Sequence, residues 1–299
     1  MLYECVVSPN LLLEFAKDRR NYKNFIKKFT LGGSLVYCDY PQIKKMKRKI
    51  LGSQSSDVND LEKTRLIELI EAIDDFHKSR RLNSYNGELD WASNIIKENN
   101  FFEFGHIISD NTTNTHNYIN CDDFLDIDYP LQKRINKTCL DMNSTVSSLL
   151  RLSSEIILID PYFKGSDRWI NVLKTFINSA FNKNFHDHIS VVIIYDGGKQ
   201  SAATAANIKY SIQRANITLP KEKKLTIVIK SISEKNGCYA LHNRFILTDL
   251  GGFCFPFGLD ENDATDDIFI LNNESHKTNW EQYSKLDYYN ILEKIEIHY

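Results

Sequence analysis

Leu241-His242-Asn243-Arg244-Phe245-Ile246-Leu247-Thr248-Asp249 sets a short apolar run between an H-x-R pair and an aspartate, with Gly251-Gly252 close behind. If Phe245 to Leu247 form a strand, alternate residues project to one face, so His242 and Arg244 share a side. A nucleophile or phosphate ligand then stands beside a fixed cation. Asp249, at the strand end, is expected to orient the imidazole and hold its tautomer.

Working outward, Glu155-Ile-Ile-Leu-Ile-Asp160-Pro-Tyr162-Phe163 reads as a buried strand running into a loop, and Val191-Val-Ile-Ile194 as another. Uncharged runs of this length suit central strands covered on both faces. The pattern predicts helices over 139 to 152, 169 to 181 and 201 to 215. It predicts strands over 156 to 160, 189 to 196, 225 to 231, 253 to 257 and 268 to 271. Strands alternating with helices imply an α/β class and a mixed sheet covered by helices. Ligand groups then belong at strand ends: Asp160 and Tyr162 after one strand, and Lys199 after Tyr195-Asp196-Gly197-Gly198. That glycine segment reads as a helix N-terminal anion site with Lys199 and Gln200 beside it. The acidic loop of Asp260, Glu261, Asp263, Asp266 and Asp267 is expected to be solvated, and His276 is a candidate second acid.

The H-x-R-x4-D spacing resembles the His-x-Lys-x4-Asp signature of the phospholipase D superfamily, with Arg244 in the lysine place. With the Asp160-Pro-Tyr strand, the glycine pair and Gly258-Leu259-Asp260, residues 139 to 299 look like a compact phospholipase D-like domain. Such domains occur at the C-terminus of MIT-domain membrane-remodelling proteins and in uncharacterised bacterial proteins. The chain departs from the superfamily at Arg244 and in lacking the downstream Gly-Ser-x-x-Asn segment. The resemblance implies a metal-independent phosphodiesterase acting on nucleic acid, needing no cofactor, a nuclease for which relatives suggest antiviral defence. His242 would attack phosphorus, Arg244 would neutralise the equatorial oxygens and Asp249 would orient the histidine. One motif copy implies a homodimer that brings two His242 side chains together. The MIT-domain relatives imply the alternative of an inert module that binds nucleic acid, anionic lipid or a protein partner, alone or in a larger complex.

Composition adds bounds. The 299 residues are 42% hydrophobic and 25% charged with a net charge of -2, ordinary globular material sufficient for two domains. Six scattered cysteines show neither a disulfide framework nor zinc spacing. The absence of a leader pattern or a long apolar run predicts a cytoplasmic protein without a transmembrane segment. Between Lys17 and Lys49, eleven Lys or Arg face only Asp18 and Asp39. Lys44, Lys45, Lys47 and Arg48 are the densest part, and Tyr22, Tyr37 and Tyr40 are interleaved. Such a basic face is the footprint of a phosphate-backbone contact.

Residues 1 to 125 are expected to form a small α/β domain. The pattern predicts strands at 3 to 7, 34 to 38 and 103 to 108. It predicts a helix from Pro9 through Phe29 stopped by Gly32-Gly33, one through the basic cluster, and others over 61 to 77 and 91 to 97. Polar loops are expected at 52 to 57 and 110 to 114. A PIN-type nuclease would need several carboxylates at strand ends, and Ser8 stands where the first is expected. The stretch 126 to 138, entered through the acidic segment Cys121 to Pro130, is read as a linker.

Overall fold

The computed structural model describes residues 2–31, 34–52, 60–79, 81, 84–110, 117–182, 186–235 and 241–299. The glycine stop at 32 and 33 and the loop residues 53 to 57 and 111 to 114 lie outside them. The chain is α/β throughout and divides into two compact units, Leu2–Tyr129 and Pro130–Tyr299.

The N-terminal unit runs β1 (Tyr3–Val7), α1 (Pro9–Lys17), α2 (Arg19–Leu31), β2 (Leu35–Cys38), α3 (Ile43–Gly52), α4 (Asp60–Asp74) and β3 (Lys78–Ser79). It continues through α5 (Trp91–Phe101), β4 (His106–Ile108), β5 (Tyr118–Ile119) and α6 (Cys121–Asp126). All strands are parallel, in the order β3-β2-β1-β4-β5. The single helix predicted from Pro9 is two. Asp18 leaves the helical region as the C-cap of α1, and its Oδ1 accepts from the amides of Arg20 (2.7 Å) and Asn21 (2.9 Å), capping α2. Phe15, Phe25, Phe29, Tyr37, Phe76 and Phe124 close one core on a face of this sheet. Tyr40, Trp91, Ile95 and Phe104 belong to a second cluster.

The linker reading is corrected. Cys121–Asp126 is a helix capped by Asn120, with Phe124 buried in the N-terminal core. Gln132–Asn136 is β6, an edge strand paired antiparallel along its whole length with the later strand Thr265–Ile270. Only Ile135 of β6 is buried, which leaves its sequence polar enough to pass for a linker.

The C-terminal unit continues with α7 (Cys139–Leu152), β7 (Glu155–Ile159), α8 (Asp167–Phe181), β8 (His188–Asp196), α9 (Ala205–Arg214) and β9 (Lys224–Glu234). Then come β10 (Phe245–Thr248), β11 (Gly251–Cys254), β12 (Thr265–Ile270), α10 (Asn273–Lys285) and β13 (Tyr289–His298). Eight strands form one mixed sheet ordered β13-β9-β8-β7-β10-β11-β12-β6. The runs at 156 to 159 and 191 to 194 form the parallel centre, β7 on β8 on β9. The strand predicted from Phe253 stops at Cys254, because Pro256 starts a turn. Neither α10 nor β13 is anticipated by the sequence pattern. In α10 only His276 and Tyr283 are buried, and most of β13 is exposed, so neither carries a strong apolar period. No helix among the described residues is long and apolar enough to cross a membrane.

Candidate phosphate site at the sheet edge

Parallel β7, β8 and β9 end at one edge of the C-terminal sheet, and antiparallel β10 starts there: Ile159 pairs with Phe245. Crevices outside such strand ends are where open α/β sheets collect ligand groups. Tyr162 follows β7, Lys199 follows β8, and His242 and Arg244 precede β10, so the sequence places these four at the same edge.

Tyr162 is 48% exposed and takes cations on its ring. Lys199 Nζ lies 3.4 Å from the ring centroid and the Arg244 guanidinium carbon 5.1 Å. Lys199 has Asp196 at 3.7 Å as a partner. Arg244 Nη1 donates to the Pro256 carbonyl at 3.0 Å, and the Arg244 carbonyl accepts from Phe255 N at 2.9 Å. The guanidinium is therefore held at both backbone and side chain. His242 is exposed, and no hydrogen bond or ion pair to another described residue is present on its ring.

Asp160 does not contact ligand space. It is 2% exposed, its Oδ1 accepts from Tyr162 N and its Oδ2 from Leu259 N, both at 2.9 Å. It ties the Tyr162 loop to the turn around Gly258. Gly258 has φ +101, and a Cβ there would lie 2.9 Å from Asp260 Oδ1 and 3.3 Å from Asp160 Oδ2, so glycine is demanded twice over.

Asp249 is a second correction. It follows the opposite end of β10, where its Oδ1 lies 3.5 Å from Glu155 N at the start of β7. Four strand residues at about 3.3 Å each separate it from Arg244, so it cannot orient His242. Burial raises its carboxyl above the ordinary range. His276 is buried at that same far end, its Nε2 2.8 Å from the Thr248 carbonyl, and supplies no second acid beside His242.

The glycine segment after β8 is not a helix N-terminus. Gly197 N donates to Ile232 O, Gly198 N to Asp196 Oδ1, and α9 begins only at Ala205 under a Thr204 cap. Both amides expected to meet an anion are used internally.

Beneath the edge lies a buried charge cluster that the motif spacing did not reveal. Lys137, at 1% exposure, donates to the Phe257 carbonyl at 2.6 Å and to Asp260 Oδ1 at 2.9 Å. Arg168 reaches the other oxygen of Asp260. Asp266, also 1% exposed, accepts from Phe257 N at 3.1 Å. Burial lowers the Lys137 ammonium and raises the Asp266 carboxyl. The acidic loop is only partly solvated: Glu261 takes Asn171 and Cys139 and Asp267 takes Arg134, while Asp263 is exposed as expected. No group of three or more His, Cys, Asp or Glu among the described residues is arranged to hold a metal.

In the N-terminal unit, Lys44, Lys45 and Arg48 are exposed on α3 and Lys47 partly so, while Ile43 and Met46 point inward. Arg19, Arg20, Lys23 and Lys27 are exposed on α2. Two of the interleaved aromatics are not part of this surface: Tyr37 and Tyr40 are core residues, while Tyr22 is half-buried on α2. Lys28 is turned inward to the Ile127 carbonyl at 2.5 Å and over Phe124 and Tyr129. Ser8, at the end of β1, spends its hydroxyl capping α1 through Leu11 N.

No family model matches the chain, and no curated protein matches it. Among solved structures, an archaeal chromatin protein, TrmBL2, whose structure shows a novel mode of DNA binding, is similar at 9% identity with a TM-score of 0.27. The match covers 55% of this chain and about half, 54%, of that one, and a score this low supports no inference about fold or function.

Proposed function

We propose that the C-terminal unit binds the phosphodiester backbone of a nucleic acid at the edge carrying Tyr162, Lys199, His242 and Arg244. The observation that carries this is the anchored guanidinium of Arg244, which shares the Tyr162 ring with Lys199. A planar, pre-oriented fork matches phosphate oxygens and loses little entropy on binding. The exposed basic residues of α2 and α3 supply further backbone contacts of the same sequence-independent kind.

A second reading is a metal-independent phosphodiesterase with His242 as nucleophile, Arg244 neutralising the phosphorane oxygens, and a homodimer supplying the second histidine. The exposed ring of His242, two residues before Arg244 and without a hydrogen bond or ion pair to another described residue, favours it. The placement of Asp249 and His276 favours binding, since neither orients the nucleophile nor supplies a second acid.

The test is a gel shift of labelled DNA and RNA at two salt concentrations, run beside cleavage assays in EDTA, with wild type and His242→Ala. Salt-sensitive binding by both proteins without cleavage is expected. Chelator-resistant cleavage that vanishes in His242→Ala would replace the binding reading with the phosphodiesterase.

A further inference from the structure

Phe255-Pro256-Phe257-Gly258 closes a four-residue turn through Gly258 N to Phe255 O at 3.1 Å. Proline at the second position and glycine at the fourth are the residues such a turn favours. Phe255 is fully buried, whereas Phe257, at the tip, is 67% exposed. Turn tips ordinarily carry Gly, Asn, Asp or Ser, and a phenylalanine left in water contributes little to folding.

The backbone carrying this ring is fixed on every side. Phe257 N donates to Asp266 and its carbonyl accepts from Lys137, two buried charged side chains. The Pro256 carbonyl, in the same peptide plane as Phe257 N, accepts from Arg244. A rigidly displayed aromatic side chain therefore stands one peptide unit from the guanidinium assigned to phosphate.

We infer that Phe257 is a stacking platform for an unpaired nucleobase, making single-stranded nucleic acid the ligand of this edge. This rests on the phosphate-binding reading given above and narrows it. Proteins that hold single strands pair cationic groups along the backbone with aromatic faces under the bases. Arg244 and Lys199 supply the first and Phe257 the second. Because the turn is already ordered, stacking costs little further entropy. A base inside a duplex offers no free face, so the platform discriminates between strand forms. An acyl chain is the poorer occupant, since the peptide groups flanking the ring are bonded to the charged side chains of Arg244, Lys137 and Asp266.

The experiment is fluorescence anisotropy on the full chain with three 12-nucleotide probes: an intact single strand, an abasic strand of equal charge, and a duplex. Anionic phospholipid vesicles provide a fourth arm by co-sedimentation. Phe257→Ala is expected to weaken the intact strand about tenfold while leaving the abasic strand and the duplex unchanged, and Phe257→Trp to retain wild-type binding. Phe257→Ala without effect on the intact strand, or with equal loss on the abasic strand, overturns the platform; if Arg244→Ala still weakens every strand, the phosphate site survives that failure. Arg244→Ala without effect on any strand overturns the phosphate site and the platform together. Binding to vesicles alone overturns both in favour of a membrane ligand.

Discussion

Replacing Lys137 by methionine keeps most of the side chain's length and removes only its charge and donors. The ammonium is 1% exposed and bonded to Asp260 and to the Phe257 carbonyl. Arg168 stays with Asp260, but Asp266, whose Oδ1 is buried without a hydrogen bond, loses the opposing charge of Lys137. Removing one partner of a buried ion pair costs about 3–5 kcal/mol, because the remaining charge stays desolvated. For a unit of about 170 residues, each kcal/mol moves the midpoint roughly 2–4 °C, so Tm should fall by roughly 6–20 °C. In a Trp91→Phe background, Trp169 and Trp280 report on the C-terminal unit alone, and urea unfolding followed by their fluorescence gives the free energy. Lys137→Met combined with Asp266→Asn should recover at least about 1 kcal/mol of the loss, since the double change removes the stranded charge. A loss below about 1 kcal/mol for Lys137→Met, or a gain, would refute the claim that this cluster holds the turn.

Three further outcomes are expected. Burial lowers the His106 imidazole, stacked on Tyr3 at 4.7 Å, to about 4 from the usual 6.5. As pH falls through that window the unfolded chain takes up the proton first, so the N-terminal unit loses stability between about 6.5 and 4, and urea midpoints for His106→Phe should lose that dependence. Asp249 has the opposite bias: with its folded pKa raised by burial, its destabilising effect grows as pH rises above the ordinary carboxylate value of 3.8. Asp249→Asn should therefore stabilise the C-terminal unit at pH 7 and leave oligonucleotide affinity unchanged, whereas lost affinity would return Asp249 to the site. Gly258→Ala, strained by its left-handed backbone and its contacts with Asp260 and Asp160, should cost about 1–3 kcal/mol in thermal unfolding. It should also weaken oligonucleotide binding, because the displaced turn carries the anchor of Arg244.

The centre of the C-terminal sheet was legible because burial on both faces forces uncharged runs, as at 156 to 159 and 191 to 194. His242 and Arg244 were legible as an imidazole and a cation two residues apart, but the strand that was to put them on one face does not reach them, since β10 starts at Phe245. Asp249 misled because proximity in sequence is not proximity in space when a strand lies between: β10 carries His242 to one edge and Asp249 to the other. Lys137 had no local signal. Its partners are 120 and 123 residues away, and an isolated lysine after a polar edge strand looks like any solvated one. The same long-range pairing hides β6 and β13, whose outer faces meet water. The basic block showed the reverse limit: composition located the charge on α2 and α3, but burial removed Tyr37 and Tyr40 from that surface.

The phosphate site stands or falls on the salt dependence of oligonucleotide affinity for wild type and Arg244→Ala. If Arg244 holds a phosphate, the variant should bind about tenfold more weakly at low salt, and the slope of log affinity against log salt should shrink by about one. Equal affinities and equal slopes for the two proteins would contradict a phosphate at this edge.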